Sequence, residues 1–379
     1  MSQAPILVDF NRAGFVGKEL DYISQAVENG HISGDGEFSR RCQAMLEVVT
    51  GSPRVLLTTS CTHALEMAAL LLDLRPGDEV IFPSFTFVST INAFVLRGVR
   101  PVFADIRPDT LNLDEARLPD LITPRTRAIV PVHYAGVGCE MDRIMALALQ
   151  HGIEVVEDNA HGLFGKYRGR PLGTFGRFGT LSFHETKNIT CGEGGALLVN
   201  HPADLERAEI IREKGTDRSK FFRGQVAKYS WVSLGSSYVL SDLLAAMLLA
   251  QLEGWQRIQA RRRVIWETYL QGLSSWAAAK GVRLPTVPGH CEQTYHMFYL
   301  LLADLEARTA FIRHLREQGI YSVFHYLPLH LSTMGRAFGG KEGDCPVTEQ
   351  VSDQLVRLPF YSGLTDEQLS LVMDAVRRF

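Results

Sequence analysis

The sequence predicts an α/β protein whose central sheet is mostly parallel. From about residue 54 onwards, short apolar runs rich in β-branched residues alternate with segments of helical periodicity. The short runs do not alternate apolar and polar positions, which is typical of strands buried on both faces of a parallel sheet. The length of 379 residues suggests two structural units, at roughly 150 residues each.

The predicted elements follow one another in a regular order. The predicted strands are RVLLT, EVIFP, GVRPVFAD, RAIVPVH, IEVVED, FGTLSFH and GALLVN. Helices are predicted over THALEMAALLLDL, over the stretch that ends at Arg97 and around EMDRIMALALQHG. No internal repeat or low-complexity segment interrupts this series.

The pattern changes in the last third of the chain. One long or kinked helix is predicted from Ser236 to about Ser275. After it, TYHMFYLLLAD and IYSVFHY are predicted strands on either side of a helix, LEARTAFIRHLREQG. We therefore expect a large domain over residues 1–255 and a smaller α+β domain over residues 256–379.

Composition excludes several classes of function. With 46% hydrophobic and 21% charged residues and a net charge of -3, the sequence is typical of a soluble globular protein and suggests neither nucleic acid nor a membrane surface as partner. Charges interrupt the longest apolar stretches before they reach the ~20 residues of a membrane span. MSQAPILVDFNRAGF has no basic start followed by an apolar core, so no signal peptide is expected. The six cysteines include no CxxC pair, so we expect no zinc site or disulfide framework and a reducing cytoplasm.

Polar residues at the carboxyl ends of the predicted strands are the candidate site, because ligands of parallel α/β sheets gather there. Thr62 opens a helix after RVLLTTSC and could bind a phosphate with the helix amides, or be an ordinary cap. Asp158 ends IEVVED and could be a ligand or a turn former. Lys187 follows FGTLSFH, with Ser182 inside that strand; its alternative interpretation is a surface lysine before a turn.

Together these groups suit pyridoxal phosphate (PLP). This cofactor needs a lysine amine for an imine, a carboxylate for the pyridine nitrogen, a phosphate cup and a flat side chain against the ring. The lysine must be partly neutral, which burial and nearby positive charge favour. The CGEGG segment after Lys187 would let the backbone approach the cofactor closely.

The chain resembles the sugar aminotransferases of the DegT/DnrJ/EryC1/StrS family, within the aspartate aminotransferase fold superfamily. The resemblance covers nearly the whole chain and rests on the order and spacing of GDGEFSRRCQAMLE, TSCTHALEMAALLL, PGDEVIFPSFTFVST, RPVFADIRPDTLNLD, VPVHYAGVGCEMD, VVEDNAHG, SFHETKNITCGEGG, GSSYVLSDLLAAMLLAQLE and FHYLPLH. It implies fold type I, with a seven-stranded sheet in the large domain. Within the family, the chain is most similar to enzymes that aminate the 4-position of dTDP-4-keto-6-deoxyhexoses.

The resemblance implies a role for each matching residue. Lys187 would form the imine and then move the proton, and Asp158 would pair with the pyridine nitrogen. Phosphate and ring contacts would come from Thr62, the backbone at His63, Ser182 and Phe87. His161 stands where many members have Gln and would donate a hydrogen bond to the phenolic oxygen of the cofactor.

A homodimer with shared active sites is also implied by the resemblance. Many members read GxNYR where this chain reads GSSYV, and their Asn reaches the phosphate of the neighbouring subunit's cofactor. Ser237 occupies that position here and is shorter, so a direct contact is an open question while the shared site is expected.

Other histidines have two interpretations. His325 and His330 in FHYLPLH resemble a segment that lines the sugar pocket, but they could equally be packed near a strand end. His184 and Glu185 flank the lysine and could face the nucleotide-sugar or solvent.

Charged and sulfur-containing residues near these motifs are also ambiguous. Arg212 and Lys214 could meet the diphosphate of a nucleotide-sugar, or form a solvated helix end. The arginines at 261–263 are predicted to be an exposed helix face, and Cys191 a small buried filler. No metal site is predicted.

The implied reaction is a ping-pong transamination from L-glutamate to the keto group of a nucleotide-linked 6-deoxyhexose. A sugar 3-dehydrase is disfavoured, because those relatives replace the lysine with histidine. Transaminases of the 3-position keep the lysine and stay an alternative. A non-catalytic regulatory protein would be expected to lack Lys187 or Asp158, or to carry an attached DNA-binding domain. The nucleotide, the configuration of the product and the pathway are left open.

Overall fold

The computed structural model describes residues 6–379. Its strands are β1 (Arg54–Thr58), β2 (Glu79–Pro83), β3 (Arg100–Ala104), β4 (Thr126–Ile129), β5 (Glu154–Asp158), β6 (Lys166–Tyr167), β7 (Arg170–Pro171), β8 (Phe178–Ser182), β9 (Gly195–Val199), β10 (Cys291–Glu292), β11 (Tyr299–Leu301), β12 (Val323–Phe324) and β13 (Leu355–Arg357). Seven of them form the main sheet, in the order β1-β9-β8-β5-β4-β2-β3. Only β9 runs antiparallel to its neighbours. The predicted α/β fold with a mostly parallel seven-stranded sheet is confirmed.

The helices connect these strands and cover the sheet. They are α1 (Glu19–Glu28), α2 (Glu37–Thr50), α3 (Cys61–Leu71), α4 (Val88–Val95), α5 (Leu118–Leu121), α6 (Met141–His151), α7 (Leu205–Arg212), α8 (Arg218–Phe222), α9 (Asp242–Glu253), α10 (Trp255–Lys280), α11 (Leu305–Glu317), α12 (Thr333–Ala337), α13 (Pro346–Gln354) and α14 (Asp366–Arg377). Short 3-10 helices occur at Glu115–Arg117, Tyr134–Gly136, Pro202–Asp204 and Leu329–Leu331.

Both faces of the main sheet are buried, which explains the continuous apolar strands. In β1, Leu56 packs in a cluster with α3, α4 and α7, whereas Leu57 packs on the opposite face with α2 and α9. In β9, Leu197 packs on the same face as Leu56, and Leu198 packs on the same face as Leu57. Since successive side chains of a strand point to opposite faces, a sheet covered on both sides needs apolar residues at every position.

The predicted helix from Ser236 to Ser275 is wrong at both ends. The helical stretch begins at Asp242, because Ser241 is an N-cap whose hydroxyl accepts from the Leu244 amide at 3.4 Å. Before it, Tyr238 is held out of a helix by a bond from its amide to the Arg212 carbonyl. Gly254 separates α9 from α10, which then continues to Lys280.

The C-terminal strands are shorter than predicted. TYHMFYLLLAD contributes only β11 and IYSVFHY only β12, which both pair antiparallel with β13. Only three residues of β11 and two of β12 find backbone partners on β13. Elsewhere in these segments the chain passes towards the cavity described below.

The helix α10 packs in two different hydrophobic clusters along its length. Ile258 packs with the helices of the main sheet, whereas Ile265 and Trp266 belong to a cluster with α11, α14 and the β11–β13 sheet. Val8 lies in this second cluster and forms a parallel bridge with Ile320. We keep the proposed division near residue 255 and add the residues around Val8 to its C-terminal side.

Within residues 6–379, no helix combines the length and the apolar character needed to cross a membrane. The same residues contain no group of three or more His, Cys, Asp or Glu arranged to hold a metal ion. All six cysteines are unpaired thiols. Cys191 is a buried member of the cluster between β9 and α9, as predicted.

Candidate active site

A cavity of about 860 Å³ opens at the carboxyl edge of the main sheet, where the C-terminal part of the chain closes over it. It gathers most of the residues predicted for the site. Those that line it are Thr62, Phe87, Asp158, His161, Ser182, His184, Lys187 and His325. His63, Ser237 and His330 do not line it.

Lys187 lies in the turn after β8, where its amide donates to the His184 carbonyl at 2.9 Å. Its side chain enters the cavity, and burial lowers the pKa of Lys187 to about 8. The Asp158 carboxylate opposes this shift, and the Arg357 guanidinium adds to it. An amine with this pKa is partly neutral near pH 7 and can act as a nucleophile or carry a proton.

Asp158 is the last residue of β5 and is almost fully buried. Its Oδ2 accepts from the Thr90 hydroxyl at 2.7 Å and its Oδ1 from the Ala160 amide at 3.1 Å. Thr90 is in turn 3.0 Å from the Thr86 hydroxyl. The carboxylate is therefore held in one orientation towards the cavity, and no cationic side chain of residues 6–379 forms an ion pair with it.

Glu157, the neighbour of Asp158 on β5, points to the opposite face and holds the strand. Its carboxylate accepts from the amides of Gly173, Phe175 and Gly176 at 2.6 to 2.7 Å. His133 contacts Glu157 through Nε2 at 3.0 Å, and both side chains are fully buried. These bonds fix the end of β5 and, with it, the position of Asp158.

The N-terminus of α3 offers a site for a phosphate. Ser60 is the N-cap, and its hydroxyl accepts from the His63 amide at 3.1 Å. The His63 N–H thus has a partner within the chain, and its contact with a phosphate stays a prediction. The amides of Cys61 and Thr62 have no acceptor within residues 6–379, and Thr62 lines the cavity. Free amides and a helix N-terminus favour an anion.

His161 stacks on His296, with ring centroids 4.2 Å apart and planes at 19°. Burial lowers the pKa of both rings well below 6.5, so both are neutral at physiological pH. His296 Nδ1 is 2.9 Å from the side chain of Asn188, the residue after Lys187. The Nδ1 atom of His161 is buried without a partner in the described chain, which fits a polar ligand atom in the cavity.

Aromatic residues form the opposite wall. Phe87 lies at the start of α4 with 58% of its surface exposed, and its ring is 6.4 Å from that of Tyr326. His325 Nδ1 is 2.9 Å from the Tyr134 hydroxyl. A flat ligand ring would find an open face of Phe87 here.

The family of the chain follows from comparison with known proteins. The model of the DegT/DnrJ/EryC1/StrS aminotransferase family matches residues 16–377. The chain belongs to this family. SpsC of Bacillus subtilis, a spore coat polysaccharide biosynthesis protein, is 32% identical over 372 residues, which are 96% of this chain and 94% of SpsC.

Solved structures of other aminotransferases superpose on nearly the whole chain. TlmJ of Streptoalloteichus hindustanus has a TM-score of 0.90 and 31% identity, and covers 98% of both chains. Spr1654 of Streptococcus pneumoniae is solved in its PLP form, with a TM-score of 0.90 and 25% identity over 100% of this chain and 98% of its own. Its PMP form has a TM-score of 0.91 and 26% identity over 98% of both chains.

Two predicted ligand contacts, Ser237 and His330, lie outside the cavity of the single chain in this aminotransferase. Ser237 is exposed on the segment before α9, outside the cavity of its own chain. His330 is fully buried, with Nδ1 2.6 Å from the Ser84 hydroxyl and Nε2 2.9 Å from Glu349. The structure therefore places His330 in the packing, the alternative that the sequence left open.

The arginine-rich segments are more buried than predicted. Arg212 is 4% exposed and pairs with Asp35 at 2.5 Å, so it belongs to neither a diphosphate site nor a solvated helix end. In the 261–263 run, Arg262 is buried and donates to the carbonyls of Tyr295 and His296. The predicted exposed helix face is wrong for this residue.

Several cavity residues were not singled out from the sequence. They are Thr90, His296, Tyr326 and Arg357. Asn188, which bonds to the cavity residue His296, was also missed. Asn188 adjoins Lys187, and Thr90 lies in the quoted SFTFVST segment, so a search of the motif neighbours could have found both. Arg357 lies in LVRLP, where one charge in a short strand gives no signal of burial.

Proposed function

We propose that this enzyme transfers an amino group from L-glutamate to the 4-keto carbon of a dTDP-4-keto-6-deoxyhexose, with PLP as its cofactor. The observation that carries the proposal is that Lys187 and Asp158 line one cavity, where burial lowers the pKa of the lysine to about 8. Family membership supports aminotransfer. The name of SpsC, a polysaccharide biosynthesis protein, favours a sugar as the acceptor.

Each residue has a part in this reaction. When bound, PLP supplies an electron sink that stabilises negative charge at the substrate carbon. Lys187 Nζ, partly neutral, takes the proton from the donor's α-carbon in the first half-reaction and delivers a proton to the sugar carbon in the second. Asp158, fixed by Thr90, keeps a negative charge where the pyridine nitrogen would lie. The amides of Cys61 and Thr62, with the Thr62 and Ser182 hydroxyls, would hold the phosphate.

The remaining walls would orient the ring and the sugar. Phe87 would lie against the ring, and the free Nδ1 of neutral His161 would face its phenolic oxygen. His184 and His325 would contact the nucleotide-sugar. Tyr326, which lines the cavity, and the buried Tyr134 behind it would add an aromatic wall beside the sugar.

A homodimer with shared sites belongs to the same proposal. Large apolar residues of the segment before α9 are exposed in the single chain: Phe222 at 71%, Trp231 at 78% and Leu234 at 65%. A partner subunit that covered them would also bring Ser237 towards a neighbouring cavity. The reducing cytoplasm is the proposed location, supported by six free thiols.

An absorbance spectrum of the purified enzyme tests the proposal. The band of PLP bound to Lys187 is expected to disappear with L-glutamate and to return with dTDP-4-keto-6-deoxyglucose. The Lys187→Ala variant, the control, is expected to give neither change. A band that glutamate discharges but this sugar does not restore would reject the 4-keto substrate in favour of the 3-keto alternative. Absence of any band after PLP is added would reject the role of Lys187.

A further inference from the structure

His296 differs from the packed histidines of this chain because one of its ring nitrogens is free. The fully buried His133 and His330 each have a partner at both nitrogens. His296 lines the cavity and is bonded only through Nδ1. Its Nε2 has no hydrogen-bond partner within residues 6–379 and, unlike Nδ1 of His161, is not sealed off by the protein. Nε2 therefore opens into the cavity that the ring lines.

The hydrogen bonds of Asn188 decide which nitrogen of His296 carries the proton. Asn188 Nδ2 lies 2.7 Å from the Thr294 carbonyl, which can only accept, so this end of the side chain is the amide nitrogen. It also donates to the Gln259 side chain at 3.1 Å. The other end, Oδ1, is then an acceptor and lies 2.9 Å from His296 Nδ1. Because the ring is neutral, its proton is on Nδ1 and Nε2 has a free lone pair.

Two contacts hold this imidazole in place close to Lys187. The His161 ring stacks on one of its faces at 4.2 Å, and Asn188 follows Lys187 directly in the turn after β8. The Lys187 amine contributes to the lowered pKa of His296, so the two groups lie near each other. Nε2 is thus a fixed acceptor near the carbon at which Lys187 would move its proton.

An unprotonated nitrogen needs a donor, and the ligands of the proposed reaction bring few. The phosphate and phenolic oxygens of bound PLP and the carboxylates of L-glutamate are anionic, so they accept hydrogen bonds. The ammonium group of glutamate is consumed when its nitrogen passes to the cofactor. The hydroxyls of the sugar are the neutral donors that remain for His296.

The position of His296 near the reacting carbon indicates which hydroxyl it would meet. In a 4-keto-6-deoxyhexose, the neighbours of the keto carbon are C3, which carries a hydroxyl, and C5, which carries the methyl group. We infer that His296 Nε2 accepts a hydrogen bond from the C3 hydroxyl of the keto-sugar and so selects acceptors that have this hydroxyl. This inference rests on the proposed function. A site that pairs with a hydroxyl rejects an analogue without it, because the polar atom of the protein is then left unpaired.

The test compares dTDP-4-keto-6-deoxyglucose with its 3-deoxy analogue as substrates of the enzyme that L-glutamate has first discharged. The wild type is expected to prefer the parent sugar by about tenfold in kcat/KM. His296→Asn keeps an amide near the position of Nδ1 but removes the acceptor from the cavity, so this preference should disappear. His296→Gln brings an amide oxygen near the position of Nε2 and should retain most of it. Both sugars react with the same variant, so a general loss of activity cancels from the ratio.

His290→Gln is a matched control, because His290 lies on the same segment but outside the cavity, with Nε2 2.9 Å from Glu140. It is expected to keep the wild-type preference. Calorimetric titration of the discharged enzyme with dTDP-6-deoxyglucose, which has no keto group, gives a reading independent of turnover. Removal of the C3 hydroxyl from this ligand should weaken its binding to the wild type about tenfold and change its binding to His296→Asn little.

Other results overturn the inference. No preference in the wild type, or a full preference in His296→Asn, would mean that the C3 hydroxyl does not bond to His296. Equal loss of the preference in His296→Asn and His296→Gln would mean that the intact imidazole matters for packing and not as an acceptor. Slower discharge by L-glutamate in His296→Asn, with the sugar preference unchanged, would assign His296 to the amino donor. Failure of the proposed function is a separate result, because then neither sugar would restore the PLP band of the wild type.

Discussion

The imidazole rings of His161 and His296 lie nearly parallel in the wall of the cavity, 4.2 Å apart. Asn188 bonds to His296 and is itself anchored to the Thr294 carbonyl at 2.7 Å. The stack therefore links the turn that carries Lys187 to the ring proposed to face the cofactor. Because both imidazoles are neutral, the stack brings no charge repulsion.

Substitutions of His161 can separate its hydrogen bond from its stacking. His161→Gln keeps an N–H donor and is expected to retain most of the affinity for PLP. His161→Phe keeps a flat ring but removes the donor, and should weaken PLP binding by about tenfold. Fluorescence titration of the apoenzyme with PLP measures both. Tight binding by the Phe variant together with weak binding by the Gln variant would mean that stacking is what matters.

Thr90 is expected to act through Asp158. Thr90→Val preserves the shape of the side chain but removes the hydroxyl that donates to the carboxylate at 2.7 Å. Affinity for PLP should fall by about tenfold, since a charge-assisted hydrogen bond is lost. Thr86→Val, which removes a group bonded only to Thr90, should show a smaller loss. Equal effects of the two variants would contradict a direct role for Thr90.

The lowered pKa of Lys187 predicts a pH dependence of cofactor capture. Only the neutral amine attacks PLP, so the rate rises with pH while the amine is mostly protonated and levels off above its pKa of about 8. An ordinary lysine, with a pKa of about 10.4, would give a rate that still climbs at about pH 10. Stopped-flow absorbance of the apoenzyme mixed with PLP measures this profile. A rate still climbing at about pH 10 would show that the lysine is not desolvated.

Substitutions of Arg212 and Lys214 are expected to change the free energy of unfolding by different amounts, although both residues were candidates for a diphosphate contact. Arg212→Met removes the buried guanidinium that bonds to Asp35, Gln43 and the Leu57 carbonyl, and should lower the free energy of unfolding by about 2 kcal/mol. Lys214→Met, at a more exposed side chain, should change it by no more than about 0.5 kcal/mol. Urea unfolding followed by circular dichroism measures both. A raised KM for the nucleotide-sugar in folded Arg212→Met would restore the diphosphate interpretation.

Substitutions of His325 and His330 are also expected to have different effects on KM and on stability. His325→Phe, in the cavity, is expected to raise the KM for the keto-sugar and, through loss of its one bond to Tyr134, to lower the free energy of unfolding by only about 1 kcal/mol. His330→Phe removes bonds to Ser84 and Glu349 and should lower the free energy of unfolding by about 2 kcal/mol, with KM unchanged. Steady-state kinetics and thermal unfolding of both variants test this assignment, and the reverse pattern would disprove it.

One sequence pattern, the short apolar run, predicted both the main sheet and the positions of Asp158 and Lys187. A strand buried on both faces is apolar throughout. The ends of the apolar runs in IEVVED and FGTLSFH therefore indicate where these strands end. A polar residue just beyond such a run must lie at the carboxyl edge of the sheet, as Asp158 and Lys187 do. These conclusions need only local patterns and the direction of the strands.

Residues whose role depends on distant packing were missed. Arg357 faces the cavity only because β13 pairs with both β11 and β12 and the N-terminal segment lies against it. Burial of Arg262 likewise follows from carbonyls more than thirty residues away along the chain. The N-cap of α3 is Ser60 and not Thr62, and this choice is decided by backbone geometry, not by residue type.

The pairing of Val8 with Ile320 has a consequence for folding during synthesis. The strands of the main sheet have all been translated once Val199 has emerged from the ribosome, so that sheet can form early. Val8, in contrast, packs in a cluster that includes Val376. Among the described residues, some of the first to be translated are therefore among the last to reach their native contacts. The nascent chain must keep this segment without its native partners until Ile320 and Val376 have been translated.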